Sequence, residues 1–361
     1  MYRRTVLTVL TVVATAAFAA PAAAAPPPVC GQTLTVDTRL RADLSCTGDG
    51  LRLGPGVVLD LGGRTLRGDG TGVGVAVASA GSATVRGGTL AGWGTAVATY
   101  EVPDADTGPL LLDRVTVTGS TTGLLASGQD GTGLFRKPTT VTRSTFRDNG
   151  RALLALWFVE VGVHRSTFAD NDVALDVGDS QVDVADSRLV RNGVAVQLGQ
   201  SGTTIERSTF VDNPVGVALQ PSSGATIADS TFRGSDVAVS GQGNPTVLHV
   251  RDNRFTDNGT AVSFDLSDGS VTGNEFRRNG TGLLVVQAPW DVTLVQDNTF
   301  VRGGDGIQVL QGDPLLQLGG NDARHNSGWG IHAPGVTDLG GNTARGNGTE
   351  PQCVGVVCTT S

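Results

Sequence analysis

The chain is nearly free of lysine, methionine and tyrosine: Lys137, Met1, Tyr2 and Tyr100 are all it has in 361 residues. With methionine confined to the first position, no thioether set for copper can be assembled. The four histidines, His164, His249, His325 and His332, fall at unmatched positions of the repeat described below, which argues against a histidine metal site. Cysteine is limited to Cys30, Cys46, Cys353 and Cys358, and no Cys-x-x-Cys spacing occurs, so the usual zinc and dithiol-redox patterns are absent. Beyond residue 20 no apolar run is long enough for a membrane span. Positive charge is scarce too. The formal net charge is −8, and −10 once Arg3 and Arg4 are removed with a leader. Such a balance speaks against nucleic acid as a partner. It also makes a polyanion awkward unless the few cations cluster. Finally, no segment of useful length carries helical periodicity.

What remains is a leader and a repeat. Arg3 and Arg4 precede an apolar run over 6–20, and small residues follow around Pro21, so residues 1–25 read as a signal peptide cut near Ala24 or Ala25. The mature chain is therefore expected outside the cell. The repeat is apolar-x-x-Ser/Asn-x-Phe-x-x-Asn-x-Val-x-Val. One copy reads Val141, Ser144, Phe146, Asn149; the next reads Val163, Ser166, Phe168, Asn171. The apolar anchor recurs at Phe146, Phe168, Leu189, Phe210, Phe232, Phe255, Phe276, Phe300, Ala323 and Ala344, every 21–24 residues, with weaker copies at Leu66, Leu90 and Val117.

Apolar residues alternate on both sides of each Asn, as Val215, Val217 and Leu219 do after Asn213, so each copy is a set of short strands. Strands joined by short turns at this period can stack only as parallel coils, each touching its neighbours. The fold class expected is all-β, a single-stranded right-handed parallel β-helix of about 12–13 coils. A leucine-rich repeat is excluded by the polar column Ser144, Ser166, Ser187, Ser208, Ser230, Asn253, Asn274, Asn298, Asn321 and Asn342. The Asn column is expected to take the left-handed corner conformation and to stack its amides along the rod. Asn258-Gly-Thr and Asn279-Gly-Thr mimic glycosylation sequons, but as corner residues they read as structural. The division expected is an N-terminal cap over 26–50, the β-helix over 51–350 and a cap or tail over 351–361. Because a solenoid keeps its ends apart, pairing within each end is expected: Cys30 with Cys46 and Cys353 with Cys358.

The period, the Asn corners and the Ser/Asn column resemble the right-handed β-helix repeats of the pectin-lyase-like superfamily. Cys30-Gly31-Gln32-Thr33-Leu34, Asp43-Leu44-Ser45-Cys46 and Leu59-Asp60-Leu61-Gly62-Gly63 resemble the entry of secreted bacterial proteins of that group. The resemblance covers nearly all of the mature chain. It implies the fold, and it implies a carbohydrate-active or surface protein as the function class. The family's catalytic blocks do not occur in the sequence, neither Asn-Thr-Asp, His-Gly and Arg-Ile-Lys nor Asp-Pro-His.

Two insertions, Tyr100 to Pro109 and Gly128 to Pro138, break the repeat and point to one edge of the rod. Trp157-Phe158 and Pro289-Trp290 fall at the same edge. A row of small residues, Ala152, Ala174, Ala195, Gly216, Ala238, Ala261, Gly282 and Gly306, is expected to floor an outer groove. Asp176, Gln197 and Gln220 would line it, and Trp157 and Trp290 would stack on sugar rings. For catalysis, Lys137 and Arg136 are the candidates in a lyase, with Tyr100 or His164 as alternatives. Glu160 with Asp176 is the candidate carboxylate pair in a hydrolase. No cofactor is expected; Asp104 and Asp106 could offer two calcium ligands but lack the rest of a loop. Two readings stand. The protein binds, and as a polysaccharide lyase would process, an extracellular polysaccharide or cell-surface glycan as a monomer. Alternatively, it is a non-enzymatic structural or surface-interaction solenoid.

Overall fold

The computed structural model describes residues 26–77, 81–99, 109–128 and 138–359. The expected leader, Tyr100, Asp104, Asp106, Arg136 and Lys137 all lie outside these residues. Most coils contribute three strands. In one representative turn these are Val173–Gly178, Gln181–Ala185 and Arg188–Val190, and they belong to what we call the first, second and third sheets. In two coils a single long strand, Ala83–Ala91 or Leu110–Thr118, runs through the second and third. All pairings are parallel, and they are in register from coil to coil except for slips between Phe264 and Asp265 and between Leu318 and Gly319. Val173 pairs with Val194, Gln181 with Gly202 and Leu189 with Phe210. The first sheet contains 15 strands, which makes about 14 turns. The turns beyond the thirteen anchors come from the ends, where Leu44 continues the anchor column above Leu66 and Cys358 pairs with Asn342 below the last copy. Among the described residues, no helix is long and apolar enough to cross a membrane.

The core is built of columns of stacked side chains from all three sheets, and the Phe column is the largest in side-chain volume. Phe146 lies on Phe168 at 5.0 Å between ring centroids. After Leu189 the stack resumes from Phe210 through Phe232, Phe255 and Phe276 to Phe300, with separations of 4.4–5.0 Å and near-parallel planes. The coil spacing imposes this geometry: parallel in-register strands lie about 4.8 Å apart, close to the contact distance of stacked rings. Ala323 and Ala344 continue the column as it narrows toward the C-terminal end.

Polar ladders hold the corners. Between the second and third sheets each backbone N–H donates to the side-chain oxygen one coil on, from Ser144 to Ser166 at 3.2 Å through to Asn321 and Asn342 at 3.1 Å. Between the third and first sheets the asparagines do the same. Asn149 N donates to Asn171 Oδ1 at 3.0 Å, and Asn149 Nδ2 donates to the same atom at 3.0 Å. These asparagines are buried, so the amide ladder is present, but the left-handed corner is not theirs. It falls on the residue before each, as at Asp148 (φ 57°), Asp170 (φ 58°) and Arg191 (φ 51°). The reason is steric. The Asn must point inward to reach the next rung, so the preceding residue makes the turn and sends its charge outward.

The Ala/Gly row is the second correction. Ala152, Ala174, Ala195, Ala238 and Ala261 are fully buried, so they line the core and not an outer groove. They lie behind the phenylalanine stack. A Cβ on Gly282 would clash with the Phe300 ring and the Gly306 carbonyl, and one on Gly216 with the Ala238 carbonyl. Small residues are required because the aromatic column fills the space.

Disulfides close both ends, linking Cys30 to Cys46 and Cys353 to Cys358, with Cα separations of 5.6 and 6.2 Å. At the C-terminal end Gln352 finishes the Asn ladder: its Oε1 accepts from Asn347 N at 2.9 Å and Nδ2 at 2.8 Å. Near the other end the indole of Trp93 is fully buried and donates to Leu66 O at 3.2 Å. Gly50, Gly68 and Gly74 crowd against that indole, so these positions leave room for no side chain.

Candidate functional site

The corner from the first to the second sheet is where the regular cross-section is broken. Thr95–Thr99 and Thr122–Ser127 end there, and the second-sheet strands resume at Leu110 and Pro138, so both insertions leave from this edge. One coil further on the same corner carries an extra residue. Two residues, Trp157 and Phe158, separate Leu156 from Val159, whereas Asp179 alone separates Gly178 from Ser180 in the next coil. Trp157 and Phe158 both adopt left-handed backbone, at φ 57° and 62°, and both are exposed, at 42% and 52%. Two consecutive bulky side chains in that region are strained, and such strain is characteristic of positions held for a purpose other than stability. The backbone is pinned from below, Trp157 N donating to Gly178 O at 3.1 Å and Phe158 N to Asp179 O at 2.7 Å.

Under Phe158 lies a shallow cleft of about 230 Å³, lined by Phe158, Glu160, Asp179, Gln181 and Gln200 together with buried Ser180 and Ser201. Ser180 and Ser201 belong to a third ladder, Val159 N to Ser180 Oγ at 3.3 Å and Ser180 N to Ser201 Oγ at 3.2 Å, which fixes the wall of the cleft. The amide of Gln181 donates to Asp183 Oδ1 at 3.1 Å, and Gly202 leaves room for that amide. Beyond the cleft His164 folds over Gly162 on the second sheet. The lining is thus an aromatic edge, two carboxylates and two amides.

The residues picked out in the sequence distribute as follows. Asp176 faces outward on the first sheet, one coil below Leu154, and is ion-paired with Arg151 Nε at 2.7 Å. Gln197 is the next rung, followed by Ala218, Ser240 and Ser263. Gln220 lies over Gly199. Glu160 stands on the second sheet and Asp176 on the first, so these two carboxylates do not form a pair. Trp290 is 63% exposed on the same edge as Trp157 but six coils away, on the order of 29 Å at the coil spacing. The two tryptophans therefore belong to separate places. Among the described residues, no three His, Cys, Asp or Glu side chains are grouped as a metal site.

Phe158 and the Asp179–Gln181–Gln200 lining were not picked out as a site in the sequence. The signal was there: the anchor spacing from Phe146 to Phe168 is one residue longer than that from Phe168 to Leu189. Trp329 was also missed. Its ring packs on His332 at 4.8 Å, and His332 follows Gln308 in the first-sheet column.

A family model described as a right handed beta helix region matches residues 73–247 and 173–327, so the chain belongs to the right-handed β-helix family. In fold it is similar to two mutants of the periplasmic alginate epimerase AlgG. The double mutant has a TM-score of 0.52 at 14% identity, over 81% of this chain and 78% of that one. A single mutant has a TM-score of 0.51 with the same identity and coverage. None of the curated proteins matches the sequence.

Proposed function

We propose that the protein acts outside the cell and binds a polysaccharide along the edge where the first sheet turns into the second. The observation that carries this is the pair Trp157–Phe158, held exposed in strained backbone above a cleft of carboxylates and amides. Exposed rings offer flat apolar faces to pyranose rings, and the amides and carboxylates meet hydroxyls at the ring's rim. The cleft walls are fixed by backbone ladders, so binding loses little conformational freedom. The fold likeness to a protein named as an alginate epimerase supports a glycan as the ligand class. Arg136 and Lys137, on the insertion that precedes Pro138, are the proposed catalytic groups if the glycan is also cleaved.

A glycan array followed by titration calorimetry tests the binding. Trp157→Ala and Phe158→Ala should each weaken it by about 1–3 kcal/mol, the range for a stacked ring buried by its partner. A lyase assay at the unsaturated-uronate absorbance, with Lys137→Ala as the control, tests the chemistry. A wild-type protein that binds no glycan on the array overturns the proposal.

A further inference from the structure

Toward the C-terminal end, the third sheet and the corner that follows it carry a stripe opposite in sign to the chain as a whole. Upstream, bases at that corner are neutralised by acids one coil above. Asp170 holds Arg191 by two bonds of 2.7 Å, and Asp257 holds Arg278 at 2.7 and 2.9 Å. Below Arg278 no acid follows. The next two rungs are Arg302 and His325, both exposed, and their backbone N–H groups donate to Arg324 O and Arg345 O one coil on. Beside this corner on the third sheet, Arg277, Val301, Arg324 and Arg345 are successive partners in register. A cation therefore stands in each of four consecutive coils, a row of roughly 14 Å at the coil spacing. From Arg254 to Arg345 this sheet and corner present six arginines against three carboxylates, whereas the whole chain has 34 acids and 26 lysines and arginines. The three carboxylates are already engaged. Asp257 holds Arg278, Glu275 takes Arg254 at 3.3 Å and Arg277 at 2.9 Å, and Asp322 takes Arg324 at 2.5 Å and Thr343 Oγ1 at 2.9 Å. Past the corner, Asp305 is turned to Trp329 N at 2.7 Å.

Like charges on adjacent strands repel. Among the described residues Arg302 makes no ion pair, and its corner neighbours above and below are Arg278 and His325. An acid at the Arg302 rung, such as Asp257 two rungs above, would relieve the repulsion in place; the row instead presents its charge to solvent. We infer that this stripe is a docking surface for a sulfated polysaccharide laid along the rod, separate from the edge that carries Trp157 and Phe158. The inference takes from the functional reading only that the protein works outside the cell. The excess charge calls for an anion, and the row calls for an anion that repeats along a chain. Guanidinium groups match oxyanions with paired N–H donors. Arg278, Arg302 and His325 offer donors from three successive coils, which suits a tetrahedral sulfate, whose oxygens point several ways, better than a planar carboxylate. A lipid surface suits the stripe less, because firm membrane attachment needs an apolar anchor besides basic residues. Val301, the apolar member of the row, is buried.

The experiment is surface plasmon resonance of the whole protein over immobilised dextran sulfate, dextran, polygalacturonate and phosphatidylglycerol vesicles. The wild type should bind dextran sulfate more tightly than the other three, and less tightly as salt is raised. Arg302→Glu should weaken that binding by about tenfold, the loss of one charge-assisted bond. Because Arg302 has no partner in the fold, this variant should melt at or above the wild-type temperature. Arg52→Glu makes the same change of net charge at an exposed position near the other end, where Arg52 meets Asp49 at 3.5 Å, and should leave the binding unchanged. Trp157→Ala should also bind dextran sulfate as the wild type does. If Arg302→Glu binds like wild type, or if Arg52→Glu weakens binding as much, the stripe is not the surface. Loss of dextran sulfate binding in Trp157→Ala would place the anion on the other edge and overturn the inference. So would wild-type protein that binds polygalacturonate or the vesicles as tightly as dextran sulfate, or that binds no dextran sulfate at low salt. The glycan array of the edge reading is independent of these results, so either reading can fail alone.

Discussion

Asn192 shows what a single residue contributes. Its Oδ1 accepts from Asn171 N at 3.1 Å and Nδ2 at 2.8 Å, and its Nδ2 donates to Phe168 O at 3.1 Å and Asn213 Oδ1 at 3.0 Å. Replacement by Ala leaves several buried groups unmatched. Chemical denaturation of Asn192→Ala should show a loss of about 3 kcal/mol, given roughly 1–3 for each orphaned group. The ladder is broken where Asn gives way to serine. Ser235 Oγ is buried with no partner, because a hydroxyl is too short to span one coil to the next Asn and return to the last. Ser235→Asn should restore the rung between Asn213 and Asn258, and thermal melts should rise by a few degrees, on the order of 1 kcal/mol. The same burial decides the sequons. Asn258 and Asn279 are 3% exposed with their amides engaged, so expression in a glycosylating host should add no mass at either position. Their structural role was legible from the repeat. Which residue makes the left-handed turn was not, because Asn and Asp both tolerate that conformation and only the inward ladder tells them apart.

At the scale of elements, the ends hold the distinctive chemistry. The C-terminal loop closed by Cys353–Cys358 is tied to the last coils through Asp338, whose carboxylate accepts from Val357 N at 2.8 Å, Gly340 N at 2.8 Å and Asn342 Nδ2 at 3.0 Å. These bonds, that from Val357 first, lower the Asp338 pKa below its ordinary value. A carboxyl whose folded pKa is depressed contributes stability above its unfolded value and loses it as pH falls through the folded one. The cap should therefore loosen below about pH 4. Asp338→Ala should lower the melting temperature at neutral pH and flatten the acid side of the stability curve, measured by melts from pH 7 to pH 3. A variant that keeps the wild-type acid slope would show that the cap does not depend on this carboxylate. The pairing of cysteines within each end followed from the sequence once the solenoid was inferred. The role of Asp338 did not, because its partners come from a loop 19 residues away whose path no local pattern reports.

For the whole molecule, contacts run from coil to coil and almost nowhere else, so stability is nearly a sum over turns. The spacing from Asn192 to Asn213 is one turn of 21 residues. Deleting residues 193–213 should leave a folded, shorter rod with the same β-type circular dichroism, whereas deleting about half a turn should not fold. The half-turn deletion puts strands of one sheet under those of another and breaks every ladder at once. If both deletions fold equally well, the nearest-neighbour description is wrong.

The sequence by itself determined the fold class, the period, the polar ladders and the edge from which the insertions leave. These properties repeat, and a repeated side chain at a fixed spacing can mean only one stacking when the coils are in register. It also predicted an outer groove floored by Ala and Gly, and here it pointed the wrong way. Alternation gives two faces but not which is inside when a corner intervenes, and the phenylalanine stack decided that those positions are core. The proposed site and the second irregularity of this edge are departures from the repeat: one extra residue at Trp157–Phe158 and one slipped pair at Phe264–Asp265. Each is a single-residue event, invisible to a pattern averaged over many coils. Only the tertiary structure shows what such an event does, because turning aromatic rings outward or burying a carboxylate oxygen of Asp265 depends on what the neighbouring coils leave room for.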